Sequence, residues 1–207
     1  GHEGQPLVVG STMYVHSAYP NHVYALDLTK EGWPIKWKYT PVQDDRAVPV
    51  ACCDLVHRGV NFAQGRIFMT TLDGQVIALD AETGKEAWKV RNADPTKGET
   101  QTMAGLVVKD KFIVGVSGGE FGIRGWVAAY DLASGKQVWK AYSMGPDEDI
   151  KLAQDFNSAN PHYGRFGEGT KTWPGERWRN GGGSTWGWYA YDPELNLFYY
   201  STGNPGT

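Results

Sequence analysis

The sequence predicts an all-β chain built from repeated propeller blades, and three observations carry that reading. The segments "DGQVIALDAETGKEAWK" (73–89) and "RGWVAAYDLASGKQVWK" (124–140) align without a gap at an offset of 51 residues. The 207 residues are 13% aromatic and include 27 Gly and 11 Pro, a composition that favours strands and turns over long helices. No amphipathic stretch with a helical period intervenes between the repeats.

In the first segment an apolar strand ends at Asp80, a turn closes on Gly84 and Lys85, and a second strand carries Trp88. The same positions in the second segment are Asp131, Gly135, Lys136 and Trp139, so one hairpin is written twice. A looser copy upstream, "HVYALDLTKEGWPIKWKY" (22–39), has Asp27 and Trp37, and a fourth begins at "GWYAYDPELNLFYYSTGN" (187–204) with Asp192. A repeat of about 50 residues with several short strands describes a propeller blade, a small antiparallel sheet that buries its faces only against its neighbours. Four such units fit in residues 1–207, and "STGNPGT" falls inside a unit, so the expectation is a partial propeller of about four blades from a larger ring. A Trp at one fixed place in each repeat is read as blade-to-blade packing rather than as a site. Residues 146–183 follow no blade rule. Their Gly-, Asn- and aromatic-rich run predicts an ordered inserted loop over one face.

The net charge of -3, with both signs interspersed, gives no basic stripe for nucleic acid and no anchor for a membrane surface. No apolar run approaches the ~20 residues of a membrane span. The opening "GHEGQPLVVG" lacks the charged head and apolar middle of a signal peptide and reads as a mature or internal start. His2, His16, His22, His57 and His162 show no metal-ligand spacing, and neither CxxC nor a phosphate-binding GxGxxG occurs. The two cysteines stand side by side in "VPVACCDLVHRG" (48–59). Taken alone they leave two readings, a pair of buried thiols or a disulfide between neighbours. The second needs a local reason, because relaxed bridges hold their Cα atoms ~5.5 Å apart.

The repeats "ALDAETGKEAW" and "AYDLASGKQVW" resemble the tryptophan-docking blades of quinoprotein alcohol dehydrogenases. "EGQPLVVGSTMYVH", "ACCDLVHRG", "VSGGEFGIRG", "NPHYG", "GGGSTWGWYAYDP" and "STGNP" resemble, in order, landmarks of the large catalytic subunit of the methanol dehydrogenase family. The likeness runs over essentially the whole chain. It implies an eight-bladed β-propeller, of which about the first half is present, binding pyrroloquinoline quinone (PQQ) and one metal ion in the periplasm. It implies oxidation of methanol and other small primary alcohols to the aldehyde, electrons passed to a soluble cytochrome c, and a homodimer of the full-length protein. Two alternatives are a PQQ-dependent dehydrogenase of ethanol or another alcohol, and a noncatalytic propeller that scaffolds outer-membrane assembly. The scaffold has no use for the CC, SGGE and GNP motifs.

Carried over residue by residue, the resemblance makes Cys52–Cys53 a vicinal disulfide that walls one face of the planar quinone and puts Trp186 on the other. Strand alternation would set Trp186 and Trp188 on the same side. Arg58 is assigned the catalytic position at the redox-active oxygens. Glu3, Thr102, Ser117, Gly118 and Gly119 are assigned to the rim of a tricarboxylate that needs cations and donors. Ser184 stands where relatives often carry Thr, which keeps the hydroxyl. Glu120 and Asn204 offer a carboxylate and an amide oxygen to a hard cation from successive inner strands. Gly119, where calcium-using relatives tend to have Ala, together with "TWPGERW", points to the lanthanide-dependent branch, with calcium as the alternative ion. The additional Asp ligand and the general-base Asp of that branch would lie beyond Thr207, so the isolated 207 residues are expected to be inactive.

Overall fold

The computed structural model describes residues 3–152 and 166–206. Its strands form meanders, each strand pairing antiparallel with the next. The first sheet holds β1 (Leu7–Val9), β2 (Thr12–His16), β3 (Val23–Asp27) and β4 (Ile35–Tyr39). The second holds β5 (Asn61–Ala63), β6 (Arg66–Thr70), β7 (Gln75–Asp80) and β8 (Glu86–Arg91). The third holds β9 (Leu106–Val108), β10 (Lys111–Gly115), β11 (Trp126–Asp131) and β12 (Gln137–Tyr142), and β13 (Tyr189–Asp192) pairs with β14 (Leu197–Tyr200). The expected all-β propeller architecture is what the chain adopts. The helical segments described are short 3-10 turns, and none of the described helices is long and apolar enough to cross a membrane.

The repeat seen in the sequence is a repeat of geometry. Each complete sheet has a bulge at one equivalent place, between Ala25 and Leu26, Ala78 and Leu79, and Ala129 and Tyr130. One step before it, Ala25, Ala78 and Ala129 pair with Trp37, Trp88 and Trp139. Asp80 Oδ1 accepts from the Thr83 N–H at 2.8 Å and its hydroxyl at 2.7 Å, and Asp131 does the same for Ser134. That local bond shapes the turn and brings round a glycine with positive φ, +69° at Gly84 and +72° at Gly135. The Trp of the preceding sheet then lies flat on that glycine. A Cβ at Gly84 would stand 2.6 Å from the Trp37 ring, and one at Gly135 2.7 Å from the Trp88 ring. Each indole also donates to the next sheet, Trp37 Nε1 to the Ala81 carbonyl and Trp88 Nε1 to that of Leu132, both at 3.0 Å. The repeated Trp therefore docks blade on blade, as expected.

Between the sheets the two faces of each strand serve two cores. Ile67, Met69, Ile77 and Leu79 join Tyr14 and Val23 of the first sheet. Their alternates Phe68, Val76 and Ala78 join Phe112, Val114 and Trp126 of the third. Full burial of each large apolar side chain contributes about 1.5–3 kcal/mol, so the second sheet is held from both sides. Substituting Gly84 by Ala in the full-length protein forces a left-handed backbone on a Cβ and drives it into the Trp37 ring. The expected loss is about 2 kcal/mol, read as a lower melting temperature.

The described residues of the insert, 146–152 and 166–183, contain no strand. Arg124 holds them down. Its Nη1 donates to Asp149 at 2.8 Å and its Nε to the Met144 carbonyl at 2.9 Å. The guanidinium carbon lies 3.9 Å from the Tyr142 ring centre and 4.6 Å from that of Trp178. The "NPHYG" motif (160–164) and His2 lie outside the described residues.

Candidate active site

The loops at one end of the blades enclose a cavity of about 410 Å³. One wall is the segment carrying the cysteines, and the blades fix it from below. Asp73, fully buried in the β6–β7 turn, accepts from Thr71 Oγ1 at 2.5 Å, from Gln75 Nε2 at 2.9 Å and from the Asp44 N–H at 3.1 Å. Gln75 Nε2 also donates to the Val42 carbonyl at 2.8 Å. From that anchor Asp44 caps a 3-10 turn, Asp45–Val50, that delivers Ala51 and the cysteines. The Tyr19 N–H holds the far side, donating to the Leu55 carbonyl at 3.0 Å. Cys52 and Cys53 form a vicinal disulfide, and both line the cavity. The open choice between thiols and bridge is thus resolved as the bridge.

Arg58 forms the floor, its side chain only 10% exposed. Nη1 donates to the Thr102 carbonyl at 3.1 Å and to Thr102 Oγ1 at 3.0 Å, and Nη2 pairs with Glu3 Oε2 at 2.9 Å. Thr102 Oγ1 shares a hydrogen with Ser117 Oγ at 3.1 Å, so a guanidinium, a carboxylate and two hydroxyls form one connected polar network. The Trp186 ring centre lies 5.2 Å from the Arg58 guanidinium carbon, within cation–π range. Trp186 lines this cavity and Trp188 a smaller one of about 180 Å³, and Arg58 borders both.

The third wall joins two connections. Gly118, with φ +119°, opens the 3-10 turn Gly119–Phe121, and a Cβ on it would stand 1.9 Å from the Gly98 carbonyl oxygen, so only glycine fits. That turn presents Glu120 to the cavity. Asn204 reaches it from beyond β14, its carbonyl accepting from the Gly183 N–H at 3.1 Å. Both oxygen donors therefore sit in connections after strands. The expected placement on inner strands is corrected, because paired glycines and a Pro at these positions end the ladder early.

Of the residues named from sequence, Glu3, Cys52, Cys53, Arg58, Thr102, Ser117, Gly118, Glu120, Trp186 and Asn204 converge on this one cavity. Gly119 and Ser184 adjoin it, Gly119 between the lining residues Gly118 and Glu120 and Ser184 beside Gly203. Ser184 is 3% exposed, and its Oγ would meet a Cβ on Gly119 at 3.1 Å and one on Gly203 at 2.9 Å, so it fills the gap between two glycines. Asp54, Val56, Thr100 and Gly203 line the cavity too. No period in the sequence marks them, because the segments 52–58 and 100–102 lie outside the strands. Among the described residues no group of three or more His, Cys, Asp or Glu gathers to hold a metal.

Antiparallel blades docked side by side by their tryptophans, with a polar cavity among the loops at one end, define a β-propeller. Over residues 1–207 the chain matches the family described as "PQQ: Glucose/ethanol/alcohol dehydrogenase, beta-propeller domain", and it belongs to that family. Within it, the chain is 70% identical over 207 residues to the lanthanide-dependent methanol dehydrogenase of Methylacidiphilum fumariolicum, covering all of this chain and 34% of that one. It is 54% identical over 211 residues to methanol dehydrogenase [cytochrome c] subunit 1 of Methylorubrum extorquens, covering 99% and 34%. A solved europium-containing methanol dehydrogenase superposes with a TM-score of 0.97 at 70% identity, covering 100% of this chain and 36% of that structure. The chain thus spans about a third of the length of the relatives it matches.

Proposed function

We propose that the full-length protein containing this chain oxidises methanol and other small primary alcohols to aldehydes in the periplasm. It would use PQQ and one lanthanide(III) ion and pass the electrons to a cytochrome c. The observation that carries this is the convergence of the Cys52–Cys53 disulfide, Arg58, Trp186, Glu120 and Asn204 on a single cavity. The residues suit the groups. A disulfide and an indole offer apolar faces to a planar ring system, the Arg58–Thr102–Ser117 network offers donors to its carbonyl and carboxylate oxygens, and Glu120 with Asn204 offers hard oxygen ligands. When bound, the quinone supplies a two-electron acceptor and the ion a Lewis acid.

The chain's own part is binding and electrostatics. Arg58 is held from both ends, so its charge meets developing negative charge without moving first. The disulfide and Trp186 would keep water from the faces of a bound ring. Glu120 brings a negative charge, which a trivalent ion rewards more than a divalent one. The remaining ligands and the base that accepts the alcohol's proton would come from chain beyond Thr207. The likeness to lanthanide-dependent methanol dehydrogenase, at 70% identity, exceeds that to the quinohemoprotein alcohol dehydrogenase ADH-IIG of Pseudomonas putida, at 41%, which favours methanol as the substrate. Full-length protein stripped of metal and resupplied with PQQ is expected to oxidise methanol faster with lanthanum than with calcium. Glu120→Gln should cost about ten-fold or more in metal affinity. Equal rates with both ions remove the lanthanide assignment, and an unchanged affinity removes Glu120 from the metal.

A further inference from the structure

Beside Arg58 lies a buried polar relay that the cavity does not touch. His57 and Thr70 are fully buried, at 1% and 0% exposure. The Gly59 N–H donates to His57 Nδ1 at 3.1 Å, so the ring proton sits on Nε2, which donates to Thr70 Oγ1 at 2.7 Å. That hydroxyl in turn donates to the Met103 carbonyl at 2.7 Å. The direction of every bond is fixed by the first. Burial, the stacked His16 ring 3.7 Å away and the Arg58 charge hold His57 well below the usual imidazole range, so the neutral tautomer this relay needs is the one present.

The two ends of the relay fall at telling places. His57 and Gly59 flank Arg58, and Met103 follows Thr102, the residue that accepts two bonds from the guanidinium. The segments 57–59 and 102–103 are therefore tied twice, once through the cavity floor and once behind it. A buried imidazole with both nitrogens bonded to neutral partners is a costly way to fill a core that an apolar side chain would fill as well.

The geometry points to His57 and Thr70 as positioning residues, a hydrogen-bond relay that sets the aim of Arg58 at the quinone by locking its backbone to the Thr102 segment. This rests on the reading of the cavity as a PQQ site. Asn61 supplies the control. Its Nδ2 joins the same two blades by donating to the Ala104 and Gly105 carbonyls, at 3.0 and 3.2 Å, without touching the Arg58 relay.

The test uses full-length apo-protein with lanthanum present, titrated with PQQ and followed by tryptophan fluorescence, with melting temperatures measured alongside. Thr70→Val removes the bridging hydroxyl and is expected to weaken PQQ binding by about ten-fold, as loss of a supporting shell does. Thr70→Ser keeps the hydroxyl and should bind close to wild type. Asn61→Ala should lower the melting temperature and leave PQQ affinity unchanged. If Thr70→Val does not fold, His57→Asn, which keeps an acceptor for Gly59 but cannot reach Thr70, takes its place with the same expectation. Wild-type affinity in the relay variant, or an equal loss in Asn61→Ala, overturns the inference alone. Failure of the wild type to bind PQQ overturns the functional reading and this inference with it.

Discussion

Arg58→Ala in the full-length protein should lower kcat/KM for methanol by about a hundred-fold or more, the scale of losing one preorganised donor at a site of developing charge. The guanidinium does three jobs at once: it neutralises Glu3, donates twice to Thr102, and lies over Trp186. Truncation leaves a carboxylate beside the cavity without its cation, so the local charge turns negative where the proposed anionic cofactor would bind. Arg58→Lys should recover little, because an ammonium on a flexible stem cannot reproduce the planar fork that reaches Glu3 and Thr102 together. Steady-state rates with PQQ and metal saturating, and PQQ affinity measured separately, check this. A loss of only a few-fold would remove Arg58 from the centre of the site.

Trp88→Ala should be the most destabilising substitution among the repeats, at about 3–5 kcal/mol. The ring fills the seat made by Gly135, lies 5.9 Å from the Phe68 ring centre, and donates its N–H to the Leu132 carbonyl of the next blade. Removing it empties that seat and takes from the Leu132 carbonyl one of its two donors, leaving only the Arg66 Nη1 at 2.8 Å. Trp88→Phe should recover part of the packing and none of the hydrogen bond, giving an intermediate melting temperature. If Trp88→Ala melts with the wild type, the docking seats do not hold the blades together.

The blades were legible because their chemistry is local and periodic. An Asp, a hydroxyl residue three further on, a Gly and a Trp recur at fixed spacing, and each sets one bond of a turn that the next sheet then uses. The site was legible differently. Residues 52, 58, 102, 117, 120, 186 and 204 lie far apart in the chain and follow no period, so only their likeness to a known order brought them together. Two features escaped even that. Ser184 is 3% exposed, with its hydroxyl set between the glycines at 119 and 203, a close fit that no spacing in the sequence marks. His57 had no metal spacing and was set aside. Its role lies in a relay to Thr70 and Met103, contacts that only the packed sheets create.

The most direct test of the account is the cofactor content of the full-length protein, with quinone measured by absorbance after extraction, metal by elemental mass spectrometry, and the cysteines by peptide mass. The account predicts about one PQQ and one lanthanide ion per chain, with the peptide that carries Cys52 and Cys53 two hydrogens lighter than its reduced form. Protein that holds no quinone even after reconstitution, or in which Cys52 and Cys53 are free thiols, would contradict it.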